Sequence, residues 1–293
     1  MKVLITGSDG QLGQILQATL SEHLLEAHDR PTLDLQDTAA VAAKFAEFKP
    51  DVVINAAAYT AVDKAESDVE LATAINTTAA ATLARECATH NARLIHISTD
   101  FVFDGTQSTP YKPEDTCNPI SVYGQTKRDG ELAILECLPH RSLIIRTAWL
   151  YSSVGNNFVK TMLRLMKERT QLKVVADQVG TPTNAATLAA VICELIPQQD
   201  VSGIYHWTDA GTASWYDFAV AIYEEATALG MLNSNLDIMP IPASEYPTPA
   251  RRPAYSVLDK SSTYAHISQP ITHWRVQLRQ VLATLSRQET QIV

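Results

Sequence analysis

The chain opens with Lys2-Val-Leu-Ile-Thr6, followed at once by Gly7-Ser-Asp-Gly10-Gln-Leu-Gly13. The first run is short, apolar and rich in branched side chains, which predicts a buried β-strand. Helical spacing from Gln14 to Leu20 predicts a helix directly after the glycines. Glycines at this spacing let the backbone turn tightly and approach a pyrophosphate, while the helix N-terminus offers free N–H groups. We therefore expect a dinucleotide site at the three glycines, with an ordinary tight strand–helix turn as the alternative.

The alternation of strand and helix continues along the first half of the chain. Thr38 to Phe48 predicts a helix, and an alanine-rich helix is predicted up to His90. Further buried strands are predicted at Asp51–Asn55, Leu94–Ile97 and Leu143–Ile145. Such alternation predicts an α/β fold of the Rossmann type, which is a doubly wound parallel sheet that binds ligands at the carboxyl ends of its strands.

The pattern loosens after residue 150. Helices are predicted at Phe158–Glu168, Ala185–Leu195, Ser214–Leu229 and His273–Arg287, with short strands at Leu172–Val175 and Gly203–His206. We expect residues 1–150 to form the dinucleotide-binding domain, with parts of 181–210 returning to it. Residues 151–293 are expected to form, in the main, a smaller substrate-binding lobe.

Composition narrows the class of protein. The 293 residues are 46% hydrophobic and 19% charged, which is typical of a globular protein with a sizeable core. The net charge of −9 argues against a nucleic-acid or anionic-membrane partner, because an acidic surface attracts neither.

No apolar run approaches the ~20 residues that span a bilayer, and the N-terminus shows no signal peptide. The four cysteines lack metal-binding spacing. We expect a soluble, cytoplasmic protein with reduced cysteines and no metal.

The residues after the predicted second strand bear on which dinucleotide binds. Asp29 follows the short run Leu24–Ala27, a position where a carboxylate would bind a ribose 2′-hydroxyl. Arg30 beside it would instead suit a 2′-phosphate, and Asp34 is placed to meet the adenine side. The choice between NADH and NADPH therefore stays open.

Small residues follow the third predicted strand. The run Ala56-Ala-Ala-Tyr-Thr60 leaves space for a flat ring against the backbone, although a tightly packed connection explains it equally well. Asn76 lies inside the alanine-rich helix, and we interpret it as a surface or capping residue.

A tyrosine and a lysine four residues apart suggest chemistry at the same edge of the sheet. Tyr123 and Lys127 share one face of a predicted helix that Ser121 would cap. A cation beside the phenol favours the phenolate, so we expect Lys127 to lower the pKa of Tyr123. Such a tyrosine exchanges a proton with a neighbouring oxygen, and Thr99 at a strand end would hydrogen-bond that same oxygen. Alone, the pair is more often a solvated helix face.

Two adjacent arginines lie in a proline-rich stretch at residues 240–253. Arg251 and Arg252 would grip a phosphate through bidentate hydrogen bonds, or else they are surface charges.

Seven runs together carry a family resemblance. They are Thr6-Gly-x-x-Gly-Gln-Leu-Gly13, Asn55-Ala-Ala-Ala-Tyr-Thr-Ala-Val-Asp-Lys-Ala-Glu66, Ser98-Thr-Asp-x-Val-Phe-Asp-Gly105, Tyr123-Gly-x-Thr-Lys127, Arg146-Thr-x-Trp-x-Tyr151, Asp177-Gln-x-Gly-x-Pro-Thr183 and Arg251-Arg-Pro-x-x-Ser-x-Leu-Asp259. The chain resembles the dTDP-4-dehydrorhamnose reductases, a branch of the extended short-chain dehydrogenase/reductases, over nearly its whole length. The glycine loop and Tyr-x-x-x-Lys would fit any member of the superfamily, and the other five runs narrow the resemblance to this branch.

The resemblance implies an enzyme that reduces the 4-keto group of a dTDP-sugar with NADPH or NADH. Tyr123 would protonate the developing alkoxide, Lys127 would hold the nicotinamide ribose, and Thr99 would bond the 4-oxygen. From the motifs and the resemblance together, the predicted cofactor contacts are Gly7, Gly10, Gln11, Leu12, Gly13, Asp29, Arg30, Asp34, Leu35, Ala57, Ala58, Tyr59, Thr60 and Lys127. The predicted substrate contacts are Val62, Thr99, Asp100, Phe101, Tyr123, Trp149, Asn157 and Arg251.

Two positions depart from the family pattern. Phe101 stands where the family usually has tyrosine, so one hydroxyl near the site is missing. Gln14 and Ile15 stand where some members carry a glutamate that helps to bind Mg²⁺ at a dimer interface. We therefore expect no metal, and the homodimer stays an open alternative.

Two other functions compete with the reductase. A related epimerase or dehydratase is less favoured, because dehydratases pair the aspartate with a glutamate where this chain has Phe101. A non-catalytic regulatory subunit is the second alternative, since the methionine adenosyltransferase β subunit belongs to the same branch and binds a dinucleotide as a partner protein.

Overall fold

A six-stranded parallel sheet lies at the centre of the structure, a computed structural model that describes residues 1–232 and 235–292. The strands are β1 (Lys2–Thr6), β2 (Leu24–His28), β3 (Val52–Asn55), β4 (Arg93–Thr99), β5 (Ser142–Thr147), β6 (Leu150–Tyr151), β7 (Gln171–Val175), β8 (Val179–Gly180), β9 (Thr183–Asn184), β10 (Gly203–His206), β11 (Ala213–Ser214) and β12 (Asp237–Ile241). In the described chain, the order across the central sheet is β10-β5-β4-β3-β1-β2, and every pairing is parallel. The predicted doubly wound parallel sheet is confirmed.

Some helices flank the sheet, and others pack with one another in the C-terminal part of the chain. They are α1 (Gln11–Thr19), α2 (Thr38–Phe48), α3 (Val62–Ala65), α4 (Val69–Thr73), α5 (Ala79–His90), α6 (Val122–Cys137), α7 (Phe158–Glu168), α8 (Ala185–Leu195), α9 (Trp215–Ala228), α10 (Ser261–Tyr264) and α11 (Trp274–Ile292). A π-helical segment, Ala74–Thr78, joins α4 to α5, and 3₁₀ turns occur at Asp100–Val102 and Ala243–Glu245. Among the described residues, no helix has the length and apolar character needed to cross a membrane.

The side chains of β1 show why helices cover both faces of the sheet. Val3 and Ile5 pack on the face covered by α1 and α8, whereas Leu4 packs on the opposite face under α2, α5 and α6. Successive side chains of a strand point to opposite faces, so a strand that is apolar throughout needs cover on both sides. Full burial of each such side chain stabilises the fold by roughly 1.5–3 kcal/mol. The strands are thereby held with their carboxyl ends at one open edge.

A separate apolar cluster packs the C-terminal helices against one another. Phe218 of α9 and Leu278 of α11 pack with side chains from α7 and β7. Strand β12 pairs in parallel with β7 in a two-stranded sheet, with Pro240 opposite Val174. We did not predict β12, which contains Pro240, the first residue of the proline-rich stretch. A two-stranded sheet has open edges, which is where a strand tolerates proline.

The segment before α5 corrects the predicted long helix. The backbone forms α3, α4 and the π-helical segment before the regular helix begins at Ala79. The π segment turns Asn76 inward, where it is 1% exposed. Its amide oxygen accepts from the Tyr59 N–H (2.9 Å), and its nitrogen donates to the Thr126 hydroxyl (3.1 Å). Interpreting Asn76 as a surface or capping residue was wrong, since it ties the loop after β3 to helix α6.

Candidate active site

A cleft of about 900 Å³ lies at the carboxyl edge of the central sheet. The predicted site residues that line it are Gly7, Gly10, Gln11, Leu12, Asp29, Arg30, Asp34, Leu35, Ala57, Ala58, Thr60, Val62, Thr99, Asp100, Phe101, Tyr123, Lys127 and Trp149. Four other predicted site residues, Gly13, Tyr59, Asn157 and Arg251, are not part of its lining. Doubly wound sheets bind ligands at this edge, so the cleft lies where the fold leads one to expect it.

Two glycines of the glycine loop, Gly7 and Gly13, lie where a side chain would clash with the backbone. Gly7 has φ +77°, and a Cβ there would lie 2.6 Å from the backbone N of Ala57. A Cβ on Gly13 would lie 2.1 Å from the carbonyl oxygen of Gly7, so Gly13 lets α1 pack against the loop without itself reaching the cleft. No side chain caps α1 at Gly10. The first N–H groups of α1 therefore remain for an anion, and the loop fits a dinucleotide pyrophosphate.

The residues after β2 are already engaged with one another. The Asp29 carboxylate accepts hydrogen bonds from the backbone N–H of Asp9 (3.0 Å) and of Arg30 (2.7 Å). The Arg30 side chain forms an exposed ion pair with Asp34 at 3.5 Å. Asp29 and Arg30 both line the cleft, so a carboxylate and a guanidinium lie side by side at this part of its wall.

Helix α6 presents Tyr123 and Lys127 beside the end of β4. The Ser121 hydroxyl accepts from the Gly124 N–H (3.2 Å) and so caps α6, as predicted. Gly124 lets the helix approach Phe101, since a Cβ there would lie 2.2 Å from the Phe101 carbonyl oxygen. Thr99 is the last residue of β4 and hydrogen-bonds Tyr123. Thr99, Tyr123 and Lys127 therefore meet in the cleft.

Burial, rather than Lys127, decides the ionisation of Tyr123. Burial withdraws water from the phenol and, against the opposing Thr99 hydrogen bond and with a smaller contribution from the nearby Asp100, raises the pKa of Tyr123 to about 12. Burial lowers the pKa of Lys127 to about 8, with Glu131 opposing. The lysine thus loses its proton before the phenol ionises, and no cation remains to stabilise the phenolate. The expectation that Lys127 lowers the pKa of Tyr123 was wrong for this state of the protein.

An aromatic stack forms the far wall of the cleft. Trp149 adopts φ +47° and stacks on Trp215, with ring centroids 3.5 Å apart and planes 9° apart. Phe158 lies against Trp215 in turn, at 4.7 Å between centroids. Gly180 makes room for the stack, because a Cβ there would lie 2.7 Å from the Trp149 ring. Our sequence analysis missed Trp215, since nothing in its local pattern indicates that the start of α9 faces the cleft.

The structure corrects the choice between the two arginines. Arg251 is exposed to solvent, and Arg252 lines the cleft instead. The Arg252 guanidinium donates to both carboxylate oxygens of Asp63, at 3.1 and 2.8 Å. Asp63 belongs to α3, so this ion pair joins two segments that are far apart in the chain, and Arg252 brings it to the lining of the cleft.

Two other expected contacts have structural roles. Asn157 caps α7 by accepting from the Lys160 N–H (3.1 Å), and it donates to the side-chain oxygen of Gln11 (2.9 Å). Asn157 therefore holds the Gln11 side chain in place without lining the cleft itself. The Tyr59 hydroxyl donates to Asp68 (3.0 Å).

Across the described residues, no group of three or more histidine, cysteine, aspartate or glutamate side chains is placed to hold a metal ion.

Comparison with known proteins gives the family. A family model described as the RmlD substrate binding domain matches residues 1–287. A dTDP-4-dehydrorhamnose reductase from Aggregatibacter actinomycetemcomitans is 41% identical over 290 residues, which cover 96% of this chain and 98% of the relative. The chain belongs to the dTDP-4-dehydrorhamnose reductase family.

Solved structures of reductases in this family share the fold. A dTDP-4-dehydrorhamnose reductase from Clostridium acetobutylicum superposes with a TM-score of 0.91 at 42% identity, covering 97% of this chain and 99% of that one. A second, from Bacillus anthracis and solved in complex with NADP, gives a TM-score of 0.91 at 35% identity with the same coverage. The family resemblance drawn from the seven sequence runs is confirmed.

Proposed function

We propose that the protein reduces the 4-keto group of dTDP-4-dehydro-L-rhamnose (dTDP-6-deoxy-L-lyxo-4-hexulose) to give dTDP-L-rhamnose, with NADPH or NADH. Family membership supports the substrate and the reaction. The observation that carries the proposal is that one cleft brings the glycine loop together with Thr99, Tyr123 and Lys127.

The glycine loop and the first turn of α1 would hold the dinucleotide pyrophosphate, and Asp29 and Arg30 would meet the adenine ribose. The Bacillus anthracis relative was solved in complex with NADP, which supports a nicotinamide dinucleotide as the cofactor. When bound, a reduced nicotinamide supplies a hydride to the carbonyl carbon. Lys127 lines the cleft beside Tyr123, and we assign it to the nicotinamide ribose.

Tyr123 is the proton donor in this proposal. Reduction of a ketone leaves negative charge on the carbonyl oxygen, and that oxygen needs a proton as the charge develops. With a pKa of about 12, the phenol carries its proton throughout the working range of pH. Thr99, hydrogen-bonded to Tyr123, would orient the same oxygen. The raised pKa therefore suits an enzyme that runs in the direction of reduction.

The far wall of the cleft would hold the nucleotide sugar. Trp149 and Trp215 offer a flat apolar surface, and Asp100 and Phe101 line the cleft beside them. Arg252, which lines the cleft, carries the positive charge that a diphosphate needs. Asp63 holds Arg252 in the free protein, so we expect the substrate diphosphate to compete with this carboxylate for the guanidinium.

A reducing compartment is also proposed for the protein. Its cysteines, Cys87, Cys117, Cys137 and Cys193, are all free thiols. Unpaired thiols are typical of proteins in the cytoplasm, which keeps them reduced.

A coupled assay tests the proposed reaction. The dTDP-4-keto-6-deoxyglucose is generated in situ, the 3,5-epimerase is added or left out, and absorbance is followed with NADPH and with NADH separately. We expect oxidation of the cofactor that depends on the epimerase. Oxidation without the epimerase would assign a different keto-sugar as the substrate. Tight dinucleotide binding with no oxidation of either cofactor would favour the non-catalytic regulatory subunit.

A further inference from the structure

The first turn of α6 sets the position of Tyr123. Helix α6 begins at Val122, so Tyr123 is its second residue. The N–H groups in the first turn of a helix have no partner within the helix, and helix ends fray. If Tyr123 is the proton donor, groups outside α6 must therefore hold this turn in place.

Two side chains cap this turn from different parts of the chain. The Ser121 hydroxyl, just before the helix, accepts from the Gly124 N–H at 3.2 Å. A carboxylate oxygen of Glu66 accepts from the Val122 N–H at 2.8 Å, across 56 residues of sequence. A hydrogen bond to a carboxylate is roughly twice as strong as a neutral one, and a helix N-terminus favours negative charge. Ser121 caps the helix locally, whereas Glu66 ties its start to another element.

The other element is α3, which Glu66 directly follows. Ala65, the last residue of α3, is fully buried in a small apolar cluster, and Tyr123 packs against the same cluster. Val62, the first residue of α3, lines the cleft. Helix α3 is therefore packed at the cleft wall beside Tyr123, and the Glu66 carboxylate reaches the start of α6 from this fixed position.

Lys127 is held by a different part of the structure. It lies one helical turn beyond Tyr123, and its Nζ donates to the carbonyl oxygen of Ile97 in β4 at 2.6 Å. This contact does not depend on the first turn of α6. The Glu66 contact therefore bears on Tyr123, while the proposed cofactor contacts of Lys127 and of the glycine loop have their own supports.

We propose that Glu66 is a positioning residue, which accepts from the Val122 N–H and thereby holds Tyr123 where it can protonate the substrate oxygen. Glu66 itself does not line the cleft, so it acts on the reaction through Tyr123. For that consequence the inference rests on the proposed function. A displacement of about 1 Å from the reactive geometry costs about 10²-fold in rate, so a loosened first turn is enough to slow proton transfer.

Hydrogen exchange tests the Glu66 contact without any activity. The exchange rate of the Val122 amide is measured by NMR in wild type, in Glu66→Ala and in Glu66→Gln. We expect exchange to be about tenfold faster or more in Glu66→Ala, which is the loss expected for a hydrogen bond to a charged group. Glu66→Gln keeps an oxygen at the same reach and should stay close to wild type. Wild-type protection in a folded Glu66→Ala protein would overturn the proposal, whether or not the protein is a reductase.

Kinetics test the consequence for the reaction. In Glu66→Ala we expect kcat for reduction to fall by about 10–100-fold. The dissociation constant of the dinucleotide should not change, because Lys127 and the glycine loop keep their supports. Glu66→Gln should recover most of the lost kcat. An unchanged kcat in Glu66→Ala, or an equal loss in Glu66→Gln, would contradict the proposal. Wild-type protein without reductase activity would instead refute the proposed function, and hydrogen exchange would then decide the Glu66 contact alone.

A shorter acid separates the reach of Glu66 from its charge. Glu66→Asp keeps the negative charge but loses one methylene, so its carboxylate falls short of the Val122 N–H. We expect Glu66→Asp to lose kcat and protection of the Val122 amide, to a greater extent than Glu66→Gln. The opposite order would show that charge alone matters, and so would contradict the proposal. This variant also carries both tests if Glu66→Ala does not fold.

The matched control is Glu194→Ala, which removes another glutamate that accepts from a distant backbone N–H. Glu194, in α8, accepts from the Ser268 N–H at 2.6 Å, and it does not line the cleft. We expect this variant to lose stability but to keep wild-type kcat and the wild-type exchange rate at Val122. A fall in kcat equal to that of Glu66→Ala would show that any lost long-range contact slows the enzyme, and so would overturn the specific role of Glu66.

Discussion

The two sides of the cleft are built in different ways. The side that we propose for the cofactor consists of short runs of neighbouring residues, such as the glycine loop, Asp29–Arg30 and the small residues after β3. The side that we propose for the substrate brings Trp149, Trp215 and Arg252 together from segments that are far apart in the chain. Local sequence motifs therefore predict the first side, whereas the second side forms only when distant segments pack together.

Tyr123 stands where the two sides meet, and its removal has the largest expected effect. The Tyr123→Phe variant keeps the ring but loses the proton donor, so kcat should fall by about 10²–10⁴-fold. Dinucleotide affinity, measured by fluorescence titration, should stay close to that of wild type because the hydroxyl acts in the transition state.

The matched control for this variant is Tyr205→Phe, on the edge strand β10. The Tyr205 hydroxyl lies 3.5 Å from Nε2 of His266, away from the cleft. This variant should keep wild-type kcat. Near-normal turnover in Tyr123→Phe would rule out Tyr123 as the general acid.

The adjacent arginines allow a residue that lines the cleft, Arg252, to be compared with an exposed one, Arg251. In Arg252→Met the diphosphate loses a charge-assisted partner worth about 1.5–3 kcal/mol, so KM for the nucleotide sugar should rise about tenfold or more. KM for the dinucleotide should not change. Arg251→Met, which removes the same charge from the exposed neighbour, should leave both constants unchanged. Equal effects of the two variants would mean that net charge matters rather than position.

Two glycines test how tightly the cofactor side is packed. A methyl group in Gly13→Ala would overlap the Gly7 carbonyl oxygen at 2.1 Å, so we expect a loss of about 1–3 kcal/mol in the free energy of unfolding. In Gly10→Ala the new methyl lies 3.3 Å from the same oxygen, and a small shift accommodates it. Urea unfolding without cofactor measures both. If Gly10→Ala were the more damaging change, the account of the loop would be wrong.

The aromatic stack on the substrate side is expected to give the smallest effect. Trp215→Leu removes the ring that faces Trp149, and an aromatic pair contributes about 0.5–1.5 kcal/mol beyond its buried area, so KM for the nucleotide sugar should rise by up to about tenfold. Dinucleotide affinity should not change. Trp215→Phe keeps a ring in place and should recover most of the loss, which kinetics at saturating cofactor will show.

The contrast between the two sides explains which predictions from sequence succeeded. Helices α2, α7 and α8 begin and end at the predicted residues, because capping and apolar spacing are local signals. The glycine loop and Thr99 were placed at the correct edge of the sheet, because alternating strands and helices imply parallel strands whose carboxyl ends meet at one edge. The division near residue 150 stays a prediction.

The failures have a common cause in burial and long-range packing. Spacing alone placed Lys127 near Tyr123 but could not show that burial would lower the pKa of the lysine below that of the phenol. The inward turn of Asn76 depends on a π-helical segment that has no simple sequence signal. Trp215 and Arg252 face the cleft because of contacts with Trp149 and Asp63, which are distant in sequence. Neither partner is visible from the local pattern.

Transfer of deuterium tests the central claim, that the two sides together carry out reduction at the sugar 4-position. The enzyme is given the epimerised dTDP-4-keto sugar and a reduced cofactor deuterated at nicotinamide C4, on each face in turn, and the product is examined by NMR. The account predicts one deuterium at C4 of the product sugar, from one face of the cofactor. Cofactor oxidation with no deuterium at C4 of the sugar from either face would contradict it.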